Sequence, residues 1–140
     1  ILRIPVLGWD MWLAGEVPVE RGTTRSAVKA MRQCREILAH RVSVIIFPEG
    51  TRSPTGEMLP FKDGAFRLAI DAGAPILPLV VSGTRTALPK HGWRFGRANA
   101  EVRVLPPVET TGMTTADVGT LKQCVREVIE RTRQELRSKS

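Results

Sequence analysis

Phe47-Pro48-Glu49-Gly50-Thr51-Arg52 places a carboxylate, a glycine and an arginine directly after the apolar run Val42-Ser43-Val44-Ile45-Ile46. Arg52 offers a planar fork suited to bidentate binding of phosphate. Pro48 has no amide proton with which to continue a ladder, and Gly50 lets backbone approach a ligand closely. The apolar run reads as a strand buried in a parallel sheet, and ligands of such sheets bind just beyond the carboxyl ends of the strands. The cluster therefore reads as an anion site. Lys62 and the unpaired amides of a helix expected to begin near Gly64 would add to the same corner. Arg21, at the end of a neighbouring strand, would supply a second guanidinium. The alternative is that Glu49 and Arg52 form an ion pair that only fixes the loop.

Such a cluster needs elements to position it, and the chain alternates strand-like and helix-like stretches. A short strand is expected near Glu16 to Glu20. Thr23 or Thr24 can cap a helix running to about Ala39, with Ala27, Ala30, Cys34 and Ile37 on one face and Arg25, Lys29, Arg32 and Arg35 on the other. The basic face reads as a solvated surface or as a contact for anionic lipid or coenzyme A phosphates. After the turn residues Ser53-Pro54-Thr55-Gly56, Asp63 can cap a second helix whose apolar face includes Phe66, Leu68 and Ala69, with Gly73 suited to a left-handed end. Ile76 to Val81 reads as a strand bent by Pro78, and Ala100 to Leu105 as a half-exposed strand. A last helix from Thr114 or Thr115 would carry Val118, Leu121, Val125, Val128, Thr132 and Leu136 on one stripe, with Arg131 to Ser140 fraying. This order predicts an α/β fold, a largely parallel β-sheet flanked by helices.

The chain has 140 residues, of which 42% are hydrophobic, enough for one core and too few for two ordinary domains. No stretch approaches the about 20 uninterrupted apolar residues of a membrane-crossing helix. Cys34 and Cys124 stand alone, far from any second cysteine or histidine at ligand spacing, and read as two reduced thiols. Trp9 and Trp12 suit either a core or a membrane surface. The 21 Lys and Arg against 14 Asp and Glu leave a net charge of +7 that should attract an anion. With no Tyr, only 5% aromatic residues and no zinc-finger spacing, nucleic acid is disfavoured.

Four blocks in order resemble the glycerolipid acyltransferases, the family that includes 1-acylglycerol-3-phosphate acyltransferase. Phe47 to Arg52 matches its F-P-E-G-T-R signature. Gly15-Glu16-Val17-Pro18-Val19-Glu20-Arg21 is similar to its glycine, apolar strand, acid and arginine block. Phe61-Lys62-Asp63-Gly64-Ala65 and Ala74-Pro75-Ile76-Leu77-Pro78-Leu79 match two more. The likeness covers roughly residues 1 to 110 and implies a glycerol-3-phosphate acyltransferase-like fold. It also implies transfer of a fatty acyl group from acyl-CoA or acyl-carrier protein to 1-acyl-glycerol-3-phosphate (lysophosphatidic acid), forming phosphatidic acid. On that resemblance Arg21 and Arg52 hold the acceptor phosphate, with Lys62 as a further phosphate contact, and Thr51 also binds substrate. Glu49 and Gly50 position the glycerol, and Pro78 shapes the acyl side. No metal and no cofactor is implied. The implied partners are lysolipid, acyl donor and a membrane surface, with attachment at its cytoplasmic face and no nucleic acid.

One family block is missing. The family's H-x-x-x-x-D pairs a histidine base with an orienting aspartate, but the fifth residue after His40 is Ile45 and the fifth after His91 is Gly96. His40 instead suits a helix C-terminus, where a cation meets the dipole favourably. The expectation is that residues 1–140 are the C-terminal portion of a single acyltransferase domain whose dyad lies upstream. Rival classes are weaker. There is no G-x-x-x-x-G-K-[ST] loop for a nucleotide triphosphatase and no G-x-S-x-G elbow for a serine hydrolase. The remaining alternatives are a noncatalytic module binding anionic lipid through its basic faces, and an acyltransferase acting on another lysolipid.

Overall fold

A computed structural model of the protein describes residue 17, residues 24–84, residue 87 and residues 96–138. The chain divides into two compact units, Ile1–Val44 and Ile45–Ser140. The expected strand at Glu16 to Glu20, Trp9, Trp12, Arg21 and His91 lie outside the described residues, Val17 excepted.

In the first unit helix α1, Thr24–Ala39, has the expected limits. Ala30 and Cys34 are buried on the predicted apolar face, while Arg25, Lys29, Arg32 and Arg35 are exposed. Ala27, expected with the apolar set, is exposed. Arg41 ends the turn after the helix with φ 61°, a left-handed conformation that satisfies the last helical carbonyls: its amide donates to Leu38 O at 2.9 Å.

The second unit holds helix α2, Gly64–Ala72, strands β1, Leu79–Ser82, and β2, Glu101–Val104, and helix α3, Val118–Arg137, entered through a 3-10 turn at Thr115–Asp117. Gly73 closes α2 in the left-handed conformation that the sequence requires of a glycine there. Thr114 caps the 3-10 turn that leads into α3 with a capping box, its hydroxyl accepting from Ala116 N while the Asp117 carboxylate accepts from the Thr114 amide. The core joins Phe61 and Phe66 to Val118, Leu121 and Val125, with the Phe rings stacked at 6.2 Å between centroids. Leu121, Val125, Thr132 and Leu136 follow the predicted stripe, although Val128 is only half-buried. The expected fraying from Arg131 does not occur before Arg137, because Leu136 is buried and the Arg133 and Arg137 guanidinium groups are tied to a carbonyl of the preceding loop.

The sheet departs from expectation. Among the described residues it has two strands, and they run antiparallel, Leu79 opposite Val104 and Val81 opposite Val102. The strand expected from Ile76 starts only after Pro78. Ile76 forms a single bridge with Val108, because Pro78 offers a carbonyl to Leu105 N but no amide to continue the ladder. Val80 faces inward while Leu79 and Val81 stand exposed, the alternation of a sheet covered on one side. Val42 to Phe47, expected as a buried parallel strand, belongs to no ladder among the described residues, and Val42, Ile45 and Phe47 are exposed.

Candidate functional site

Five of the residues singled out by type, Glu49, Gly50, Thr51, Arg52 and Lys62, sit in the loop between Phe47 and Asp63, and backbone hydrogen bonds give that loop its shape. Gly50 N donates to Phe47 O at 3.0 Å, closing a turn that Gly50 enters with φ 69°, a conformation that strains any residue with a Cβ. Lys62 N donates to Pro48 O at 2.9 Å, so the start of the second block lies against the first. The Lys62 side chain crosses over Gly50, and a Cβ at Gly50 would stand 2.8 Å from Lys62 Nζ. By residue type the missing Cβ reads as room for the approach of a ligand. In the structure it is the Lys62 ammonium arm that uses the space.

Glu49 is half-buried, and its Oε2 accepts from Leu59 N at 2.7 Å, a charge-assisted bond across ten residues. Ser53 shapes the intervening turn by accepting from Gly56 N at 3.0 Å. Helix α3 then holds the loop from the other side. Arg133 and Arg137 both donate to Gly56 O, at 2.6 and 2.7 Å, and Arg126 donates to Leu59 O at 2.8 Å with its guanidinium 5.5 Å from the Phe61 ring centre. Thr51 and Arg52 are exposed beyond the turn.

Asp63 stands at the start of α2, where a side-chain cap was expected, yet it makes no capping bond. Its carboxylate accepts from Lys122 Nζ at 2.7 Å, and that hydrogen bond, with the charge behind it, lowers the Asp63 pKa from its ordinary value. The α2 N-terminus thus has a carboxylate beside it, while Lys62 carries the nearby positive charge.

Of the sequence candidates, the structure brings Glu49, Gly50 and Lys62 together around one turn. Thr51 and Arg52 continue that turn into exposed chain. Pro78 does not join them as part of this loop; it is buried at the head of β1, where its carbonyl accepts from Leu105 N. Arg126, Arg133 and Arg137 were not singled out as candidates. Their spacing of seven and four along a helix put them on one face, but arginines at such spacing are ordinary on a solvated helix, and only the fold aims them at the loop.

Residues 1–82 match the family model described as Acyltransferase. The human 1-acyl-sn-glycerol-3-phosphate acyltransferase alpha is 44% identical over 120 residues, a match that takes in 85% of this chain and 42% of the human protein. The 1-acyl-sn-glycerol-3-phosphate acyltransferase of Saccharomyces cerevisiae is 39% identical over 137 residues, 95% of this chain and 45% of the yeast protein. The chain thus spans less than half the length of either relative. Among solved structures, the crystal structure of the 1-acyl-sn-glycerophosphate (LPA) acyltransferase PlsC from Thermotoga maritima superimposes with a TM-score of 0.80 at 32% identity, covering 97% of this chain and 53% of that one.

Proposed function

The chain belongs to the glycerolipid acyltransferase family, and from that premise we propose that the protein moves a fatty acyl group to the free hydroxyl of 1-acyl-glycerol-3-phosphate, forming phosphatidic acid. The observation that carries this reading is the packing of two signature blocks into one corner, with Lys62 N on Pro48 O at 2.9 Å and the Lys62 ammonium arm over Gly50. The corner presents a cation, an exposed arginine and a fixed carboxylate, a set suited to a glycerol that carries a phosphate.

In this reading Arg52 and Lys62, joined by Arg21, hold the acceptor phosphate through charge-assisted hydrogen bonds. Thr51 adds a hydroxyl beside them. Glu49 and Gly50 set the glycerol backbone, so that its free hydroxyl lies beside the base that removes its proton. The oxygen then attacks the acyl thioester carbon, the thiolate of coenzyme A or carrier protein leaves, and the proton passes to it through the base. Neither His40 nor His91 has the family's spaced aspartate, and the base is assigned to a segment outside these 140 residues, in keeping with relatives more than twice as long. Pro78 is read as shaping the acyl side from the head of β1.

The wider sheet is read as largely parallel with residues 42–47 as one strand. Half-buried Val44 and Ile46 alternate with exposed Ile45 and Phe47, as strand side chains do. The membrane is read as the source of the acceptor, approached from its cytoplasmic face, and the exposed arginines and lysine of α1 suit an anionic surface. No helix among the described residues is long and apolar enough to cross a membrane.

The test is acyl transfer by the full-length protein to lysophosphatidate in anionic vesicles, with acyl-CoA and acyl-carrier protein supplied separately. Phosphatidate should form with at least one donor, and Arg52→Ala should abolish it. Binding of anionic vesicles that survives Arg52→Ala, with no product from either donor, would replace this reading with a noncatalytic lipid-binding module.

A further inference from the structure

Glu49 is fixed through Leu59, and Leu59 is fixed by helix α3. Leu59 lies in a stretch with no helix or ladder, and Pro60 follows it without an amide, so secondary structure does not set the orientation of its backbone. Two side chains set it. Glu49 Oε2 takes the Leu59 N–H at 2.7 Å, and Arg126 Nη1 gives a hydrogen bond to the Leu59 carbonyl at 2.8 Å. The Arg126 guanidinium is itself seated on the Phe61 ring, which is buried in the core. Three residues upstream the same helix grips the loop again, where Arg133 and Arg137 share the Gly56 carbonyl. The family match ends at residue 82, well before α3 begins at Val118.

We propose that Arg126 is a positioning residue for Glu49: by holding the Leu59 carbonyl it aims the Leu59 amide at the Glu49 carboxylate, and so fixes the orientation of the signature turn from a helix that lies beyond the residues 1–82 matched by the family model. The inference rests on the acyl-transfer reading for its consequence in turnover, but the relay itself is a property of the fold. Arg126 touches no reacting atom. Its effect passes wholly through Glu49.

The experiment uses the full-length protein with Arg126→Gln, Arg126→Lys, Glu49→Ala, the double variant Arg126→Gln/Glu49→Ala, and Arg131→Gln as an exposed arginine on the same helix. Two quantities are read: amide hydrogen exchange at Leu59, and kcat and KM for lysophosphatidate. Arg126→Gln should speed Leu59 exchange by about tenfold or more, as Glu49→Ala does, with Arg131→Gln unchanged. It should lower kcat/KM by roughly tenfold in the wild-type background and by less than about twofold in the Glu49→Ala background, because two residues of one relay are not additive. Arg126→Lys keeps the charge without the fork, should fall between, and serves if the glutamine variant does not fold. Unchanged Leu59 exchange, or equal losses of kcat/KM in both backgrounds, would overturn the proposal. A wild-type protein that forms no phosphatidate sinks the acyl-transfer reading instead, and Leu59 exchange then decides the relay alone.

Discussion

Lys62 reaches back over Gly50, so close that a Cβ on the glycine would stand 2.8 Å from Nζ and 3.1 Å from Cε. Two residues with eleven others between them in the chain therefore share one volume, and glycine is the residue that leaves it open. Gly50→Ala pushes on both counts, since alanine at φ 69° costs about 1–2 kcal/mol and the Lys62 arm must move. The variant should unfold at lower denaturant and lose acyl transfer, whereas Lys62→Ala should keep its stability and raise KM for lysophosphatidate on the order of tenfold or more, the loss of one charged contact. Denaturant titration beside initial rates separates the two. A Gly50→Ala protein as active as wild type would mean that the ammonium is not needed where it lies.

Thr110 is the most deeply buried polar residue described, 2% exposed, and its hydroxyl donates to Ala74 O at 3.0 Å just past the end of α2. Thr110→Val keeps the shape and strands that carbonyl, at a cost of about 1–3 kcal/mol. The measurement is the urea midpoint, and an unchanged midpoint would show that another donor reaches Ala74.

Leu121 and Phe66 meet where α2 packs on α3, at 1% and 2% exposure. Leu121→Ala should destabilise the second unit by about 2–5 kcal/mol, because a methyl-lined void remains where the branched side chain stood. Thermal unfolding followed through helical circular dichroism reports it.

The pair between Asp63 and Lys122 should give the acid limb of stability a definite shape. Lys122 holds the Asp63 pKa below its ordinary 3.8, so the folded state binds that proton less readily than the unfolded chain does. The contribution is therefore present above pH 3.8 and is lost as acid titrates the group through its lower folded value. Urea midpoints of wild type and Lys122→Met should differ at neutral pH and converge in strong acid. A gap that stays constant into acid would show that Lys122 acts by packing and not by charge.

The two thiols should separate in reactivity. Burial raises the Cys34 pKa and covers the sulfur, while Cys124 is exposed on α3. A disulfide reagent at neutral pH should modify Cys124 first, with Cys34 reacting only after denaturant is added. Two equally fast thiols would mean that α1 opens readily.

Local patterns were legible at once. Apolar spacing bounded α1 at Thr24 and Ala39, Gly73 marked the end of α2, and the stripe from Val118 to Leu136 gave the buried face of α3. Each depends on residues within a turn or two of one another, so periodicity and capping chemistry carry it without reference to the rest of the chain. The four family blocks were readable in the same way, as contiguous words.

Long-range placement decided the rest. Asp63 reads as a cap by position, but its carboxylate goes to Lys122, 59 residues away. Glu49 reads as a possible partner for the nearby Arg52, yet its carboxylate reaches the Leu59 amide, and three arginines of α3 hold the carbonyls around it. The strand after Pro78 pairs antiparallel with a segment that only chain reversal brings beside it. Hydrogen-bond partners of polar side chains are chosen by proximity in space among many chemically equivalent donors and acceptors. Residue type therefore names what Glu49, Lys62 and Arg126 can do, and the packing of α3 against the loop selects which of those bonds form.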